Sequence, residues 1–195
     1  MMPSDYVLWR QDSEDVYCVL EQPTVDDLWE LDEGVSRADR WPDDASCRMS
    51  NDFPKQIQLA DNLDALGLCV VSQRLKTTLE SLTHKNRIEY LPIRIINHKG
   101  RVASKDYWIL NPLDICDCID IEKSGVEWNK IDSSTISYCK KLILKPQGIP
   151  ANYVMFRMKY WPKNIAVRRD LIEKAAAAGL SGLDSLEIED YTGIE

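Results

Sequence analysis

Between Val71 and Leu110 the apolar residues change period, and that change constrains the fold more than any other feature of the chain. Val71, Leu75, Leu79 and Leu82 recur at three- and four-residue steps, with Gln73, Arg74, Lys76 and Glu80 between them. That spacing puts one apolar stripe on an amphipathic helix. Ser72 stands where a hydroxyl can accept from an otherwise unpaired N–H at the helix start. Further on, Leu91, Ile93 and Ile95 alternate with Pro92, Arg94 and Ile96, a period of two that belongs to a strand. Pro92 has no N–H for a ladder, which places it at an edge or a bulge. Asn97-His98-Lys99-Gly100 is turn chemistry. Tyr107 to Leu110 then reads as the returning strand, halted by Asn111-Pro112.

The same reading extends to the rest of the chain. Ile115, Asp117, Ile119 and Ile121 share one face of an expected strand, with Cys116, Cys118 and Asp120 on the other. Ile136–Leu144, Tyr153–Met158, Ile165–Val167 and Leu183–Ile188 also alternate, and Trp161–Asn164 reads as a turn. Tyr6–Trp9 and Val16–Leu20 suggest a hairpin around Gln11–Asp15. A short N-terminal helix is expected at about 25–33, capped by Thr24 and ended by Gly34. A second principal helix is expected at about 170–178, with Asp170 and Glu173 as its capping pair and Gly179 at its end. With the first principal helix at about 71–83, strands outnumber helices without alternating regularly with them. The expected class is α+β, with a mixed, mainly antiparallel sheet.

At 195 residues the chain suits a single compact domain, an acidic portion 1–65 packed on a core of 66–195. Hydrophobic residues make up 44% and charged residues 29%, an ordinary globular balance. The charge is unevenly placed. Residues 1–70 hold 16 acids against 5 bases, whereas 71–195 hold 16 acids against 19 bases. The bland reading is a solvated face that aids solubility; the functional one is a surface complementary to a cationic partner. Phosphates would be repelled by that half, so nucleic acid is not expected. The first thirty residues contain Asp5, Arg10, Asp12, Glu14 and Asp15 and no apolar signal region, so neither export nor a membrane is expected, and the cytoplasm is the expected location. Six cysteines without an export signal read as reduced, buried thiols.

No catalytic kit is visible. His84 and His98 each adjoin a lysine and lack an orienting partner in sequence. Neither a P-loop nor a G-x-S-x-G elbow occurs, and Cys116-Asp117-Cys118 lacks zinc-knuckle spacing. Asp114, Asp117, Asp120 and Glu122 are dense enough for a divalent cation or a carboxylate enzyme, but strand alternation would split them between faces. Arg157–Lys163 mixes bases with aromatics, although the acidic pI of about 4.9 opposes nucleic-acid clamping. No cofactor, metal or catalytic residue is expected.

The helix VVSQRLKTTLE, the strand EYLPIRI, then YWILNPLD and CIDIEKS, and finally AAAAGLSGLDSL, follow one another in an order that resembles an immunity-protein family. It is the family numbered eleven of bacterial polymorphic toxin systems, formerly a domain of unknown function, and the resemblance covers roughly 66–186. It implies a non-enzymatic protein that binds a cognate toxin and neutralises it stoichiometrically. Pro92, Asp120, Ser124, Gly179 and Gly182 fall in its motifs, where structural roles are implied. For the toxin-binding surface the candidates are Asp26, Asp27, Trp29, Glu30, Asp39, Trp41, Asp43 and Asp44, aromatics set among acids. Trp41 is the expected outward anchor, Trp9 the expected core residue. Oligomeric state is not legible.

Overall fold

A computed structural model describes residues 5–12 and 16–193. Among them, in chain order, are β1 (Tyr6–Gln11), α1 (Trp29–Asp32), β2 (Ser46–Arg48), β3 (Asn62–Ala65), β4 (Leu68–Ser72) and α2 (Gln73–Leu82). There follow β5 (Ile88–Ile96), β6 (Val102–Pro112), β7 (Ile115–Cys116), α3 (Ile121–Ser124), β8 (Val126–Trp128) and β9 (Ile136–Cys139). The chain closes with β10 (Met155–Met158), β11 (Trp161–Arg168), α4 (Arg169–Ala177) and β12 (Leu183–Glu187).

The strands make two five-stranded sheets rather than one, ordered β12-β1-β11-β10-β7 and β2-β5-β6-β4-β3, with β8-β9 as a separate ribbon. Among the described strands, β10–β7 and β2–β5 pair in parallel and the others antiparallel, so the class is α+β with mainly antiparallel pairing. Side-chain alternation then builds three cores. Val7, Trp9, Cys69, Val71 and Val167 lie between the sheets with Leu75 and Leu79 of α2 and Leu171 and Ala175 of α4. The opposite face of the second sheet, with Val70, Ile93, Ile95 and Ile109, is covered by Cys18, Leu20, Leu28 and Leu31. The opposite face of the first, with Leu8, Phe156, Met158 and Ala166, is covered by Cys118, Ile136, Leu142 and Tyr191. Every residue of β4 is buried for this reason: both its faces meet a core.

Two polar junctions join the sheets. Buried Asp61 accepts from Ser72 Oγ at 2.6 Å, from Ser181 N at 3.0 Å and from Arg74 at 3.2 Å. Next to it, Asn62 Nδ2 donates to the Arg10 and Gly182 carbonyls, both at 3.0 Å, and Trp9 Nε1 donates to Asn62 Oδ1 at 3.3 Å. Elsewhere, buried Arg157 of β10 donates to the carbonyls of Pro112, Pro162 and Asp32 at 3.0, 2.7 and 3.3 Å. Burial lowers its pKa to about 10. Carbonyl oxygens here accept the guanidinium donors that a carboxylate takes elsewhere.

Several elements depart from expectation. α2 begins at Gln73, because Val71 is a core residue of β4; Ser72 caps it by accepting from Leu75 N at 3.2 Å. The N-terminal helix shrinks to one turn, Trp29–Asp32, with Leu28 as its uncapped start. Thr24 Oγ1 instead donates to the Ser46 carbonyl at 3.2 Å, and Asp27 sits at φ +53°. β1 pairs with β11 and β12, not with Val16–Leu20, which contributes only isolated bridges to Gln58 and Met49. Part of the expected hairpin turn, 13–15, lies outside the described residues. The strand expected at Ile115–Ile121 ends at Cys116, since Asp120 accepts from Lys123 N at 3.1 Å and starts α3. Likewise Ile136–Leu144 is strand only to Cys139: the fully buried Ser124 holds Ile143 through its hydroxyl, at 3.0 and 3.3 Å. Trp161–Asn164 belongs to β11, and the turn is Lys159-Tyr160, with Tyr160 at φ +72°. Asp170 is not a cap; α4 starts after Arg168, whose guanidinium holds Asp170 together with Lys174. Those hydrogen bonds from Arg168, opposed only partly by burial, keep the Asp170 pKa at about 2.

Candidate partner-binding surface

The segment 24–44 roofs the second sheet, and one buried residue organises it. Arg37 donates to the Asp27 carbonyl at 2.8 Å, the Asp26 carbonyl at 3.0 Å and Glu30 Oε2 at 2.7 Å. Its backbone N–H in turn reaches Glu89 Oε2 on β5 at 3.0 Å. Glu89 also takes the hydroxyl of Ser36 and the N–H of Ala38. An otherwise irregular stretch is thereby clamped to a strand, and the carbonyls Arg37 takes belong to Asp26 and Asp27 while their carboxylates stay exposed. The positive φ of Asp27, just before α1, is held by the same contact.

The structure separates the candidates. Asp26, Asp27, Asp39, Asp43 and Asp44 are exposed. Glu30 is not available: it is held by both Arg37 and Arg40 at 2.7 Å. Burial raises its pKa, but hydrogen bonds from Arg40 and Arg37 outweigh that and leave it below the usual carboxylate range. Trp41 is turned inward rather than out. Its Nε1 donates to the Pro92 carbonyl at 2.8 Å, covering the edge of β5 that β2 leaves open, since β2 pairs only from Arg94 onward. Pro92, without an N–H, tolerates that open edge. Trp9 is 2% exposed in the core between the sheets. Trp29 is the outward aromatic, 58% exposed on the single turn α1. Its neighbours in sequence did not reveal this, because all three tryptophans stand among acids.

The rival carboxylate site is dispersed, with Asp114, Asp117 and Asp120 each taken by its own donors. Asp114 is buried and accepts from Arg87 Nε and Arg87 N at 2.9 Å and from Asn86 at 3.1 Å. Burial pulls its pKa up, yet those bonds hold it below normal. Asp117 pairs with Lys145 at 3.0 Å and Lys159 at 3.2 Å, and Asp120 pairs with Lys123 at 2.8 Å. Among the described residues no three His, Cys, Asp or Glu side chains converge as metal ligands would. His84 is exposed, and His98 Nε2 lies 3.0 Å from the Ser50 carbonyl. Arg157 and Met158 are buried, which dismantles the basic–aromatic patch. All six cysteines are buried and unpaired with one another. No helix among the described residues is long and apolar enough to cross a membrane.

The model of the immunity protein family Imm11 matches residues 9–190. The chain belongs to the Imm11 immunity protein family. The match begins far before residue 66, so the acidic portion is part of the Imm11 region. The structure gives a physical reason: β1, β2 and β3, all drawn from that portion, complete both sheets. Pairing of this kind leaves no sequence period to quote. No individually curated protein is similar to this Imm11 chain at a significant level.

Proposed function

We propose that this chain neutralises a cognate toxin of a bacterial polymorphic toxin system by stoichiometric binding, without catalysis, in the cytoplasm of the producing cell. Family membership supplies the class of function. The observation that carries the surface assignment is Trp29, exposed shortly after the exposed residues Asp26 and Asp27 on a segment clamped by Arg37. An exposed aromatic on a preorganised backbone is the usual anchor of an interface, since little ordering entropy is lost on binding. Acids around it would steer a cationic toxin and speed its capture. In this reading 1–65 and 66–195 act as one unit.

The test uses the purified chain and the toxin encoded beside it. Toxin activity should fall linearly with added protein and vanish at equimolar ratio. Trp29→Ala should speed dissociation, costing about 2 kcal/mol or more. Replacing Asp26 and Asp27 with asparagine should slow association and flatten its salt dependence, leaving dissociation nearly unchanged. Unaltered kinetics in both variants would place the interface elsewhere.

A further inference from the structure

A cavity of about 690 Å³ opens where the end of β1, the β3–β4 turn and β11 meet. Its lip is apolar: Leu66, 68% exposed, and Phe53, also exposed, stand at the mouth. Leu66 occupies φ +53° in the two-residue turn between β3 and β4, followed by Gly67 at φ +92°. A branched apolar residue is costly in that backbone region. The wall carries Asp12, Asp32 and Asp64, with Asp32 exposed to solvent and Asp64 half-buried. Asp64 accepts from Gly67 N at 2.8 Å and from Leu66 N, so two backbone donors hold its carboxylate at the wall. The basic residues of the wall are placed differently. Arg10 is turned to its own carbonyl neighbour at Trp9, to Asn164 and to the Tyr191 ring, and Lys163 reaches Asp32 only through space.

Carboxylates behind an apolar lip match one kind of side chain, a long alkyl stem ending in a cation. Arginine fits best, because its planar fork can engage two carboxylate oxygens at once and it is weakly hydrated. The volume lies within the range of sites that enclose small ligands, so one basic side chain with its flanking residues can be accommodated. Asp32 is also the last residue of α1, whose first residue is Trp29. The cavity therefore borders the helical turn that carries the exposed tryptophan. We propose that this cavity receives an arginine of the bound toxin, its stem against Phe53 and Leu66 and its guanidinium on Asp32 and Asp64. The inference rests on the immunity reading above for its partner, and on charge complementarity for the chemistry.

The full chain would be titrated with the peptide Ac-Leu-Arg-Leu-NH2, and separately with Ac-Leu-Glu-Leu-NH2, following backbone amide shifts by NMR. The arginine peptide should shift the amides of Leu66, Gly67 and Cys69 saturably, in the millimolar range, and the glutamate peptide should not. Asp32→Asn with Asp64→Asn should weaken that binding by about fivefold or more, the effect of roughly 1 kcal/mol. The Asp64→Asn side chain still accepts from Gly67 N, so the turn is retained, and Asp106→Asn, at an exposed acid outside the cavity, should leave peptide binding unchanged. Equal response to both peptides, no response, or undiminished binding by the double variant would overturn the assignment. If the peptide fails to bind but the chain still neutralises the adjoining toxin, the cavity inference falls and the immunity reading stands. If it binds and the toxin is not neutralised, the cavity stands as a receptor for a basic side chain and the immunity reading falls.

Discussion

Replacing Gly182 with alanine should cripple this fold, whereas the same change three residues earlier should be tolerated. Both glycines have positive φ, +74° at Gly182 and +70° at Gly179. An added Cβ on Gly179 would meet nothing within 4 Å. Its cost is the left-handed backbone alone, about 1–2 kcal/mol, reduced by the smaller unfolded-state entropy of alanine. On Gly182 the same atom would lie 2.2 Å from the Asn62 carbonyl oxygen and 2.7 Å from Ala60 Cβ. The backbone of β3 must then retreat, and Asn62 loses its hold on the Gly182 and Arg10 carbonyls and on Trp9 Nε1. Two or three buried hydrogen bonds at about 1 kcal/mol each, added to the backbone term, give about 3–5 kcal/mol. The difference between the two variants is therefore about 2–3 kcal/mol, or several degrees in Tm for a chain of this size. Urea unfolding followed by tryptophan fluorescence is the assay, since Trp9 reports on this junction directly. Equal losses at the two glycines, or a loss at Gly182 no larger than the backbone term, would refute the idea that Asn62 joins the sheets there.

Three further outcomes are expected. Burial pushes the Cys18 thiol up to about 11 and the Cys47 and Cys69 thiols up to about 12, and raises Cys116, Cys118 and Cys139 as well. A thiol reagent at about pH 8 should thus meet almost no thiolate until denaturant exposes all six; one cysteine reacting like a free thiol would contradict this. Desolvation raises the carboxyls of Asp32 and Asp64 above their ordinary 3.8, so the fold favours their protonated forms. The stability they allow is complete below that value and is lost as pH rises through the raised pKa. The Asp32→Asn, Asp64→Asn pair should therefore be more stable than the parent at neutral pH and indistinguishable from it in acid, which stability curves at several pH values would check. Trp29→Ala should change folding stability by no more than about 0.5 kcal/mol, while Trp9→Ala should cost about 3–5 kcal/mol, as thermal unfolding would show.

Local periodicity carried a good part of the fold. The α2 stripe, its Ser72 cap, the alternation of β5 and the turn closed by Gly100 all depend on residues within a few positions of one another, so the chain itself reports them. What was illegible depended on distant partners. Val71 fits a helical stripe as well as a strand, and only its pairing with Trp108 on β6 decides. Asp120 and Ser124 look like turn formers in sequence. Their grip on Lys123 and Ile143 explains why a run of alternating isoleucines breaks after two residues.

The sequence by itself determined that residues 1–70 carry 16 acids against 5 bases, because formal charge is a property of composition. Which of those acids stay exposed was decided by tertiary structure alone. Arg37 and Arg40 consume Glu30, Trp41 turns in to cover the carbonyl of Pro92, and Trp29 is left outside. Asp32 and Asp64, 32 positions apart in the numbering, line one cavity that only the tertiary structure assembles. Desolvation and ion pairing are properties of an environment, and the environment of each side chain is assembled from residues that no local period connects.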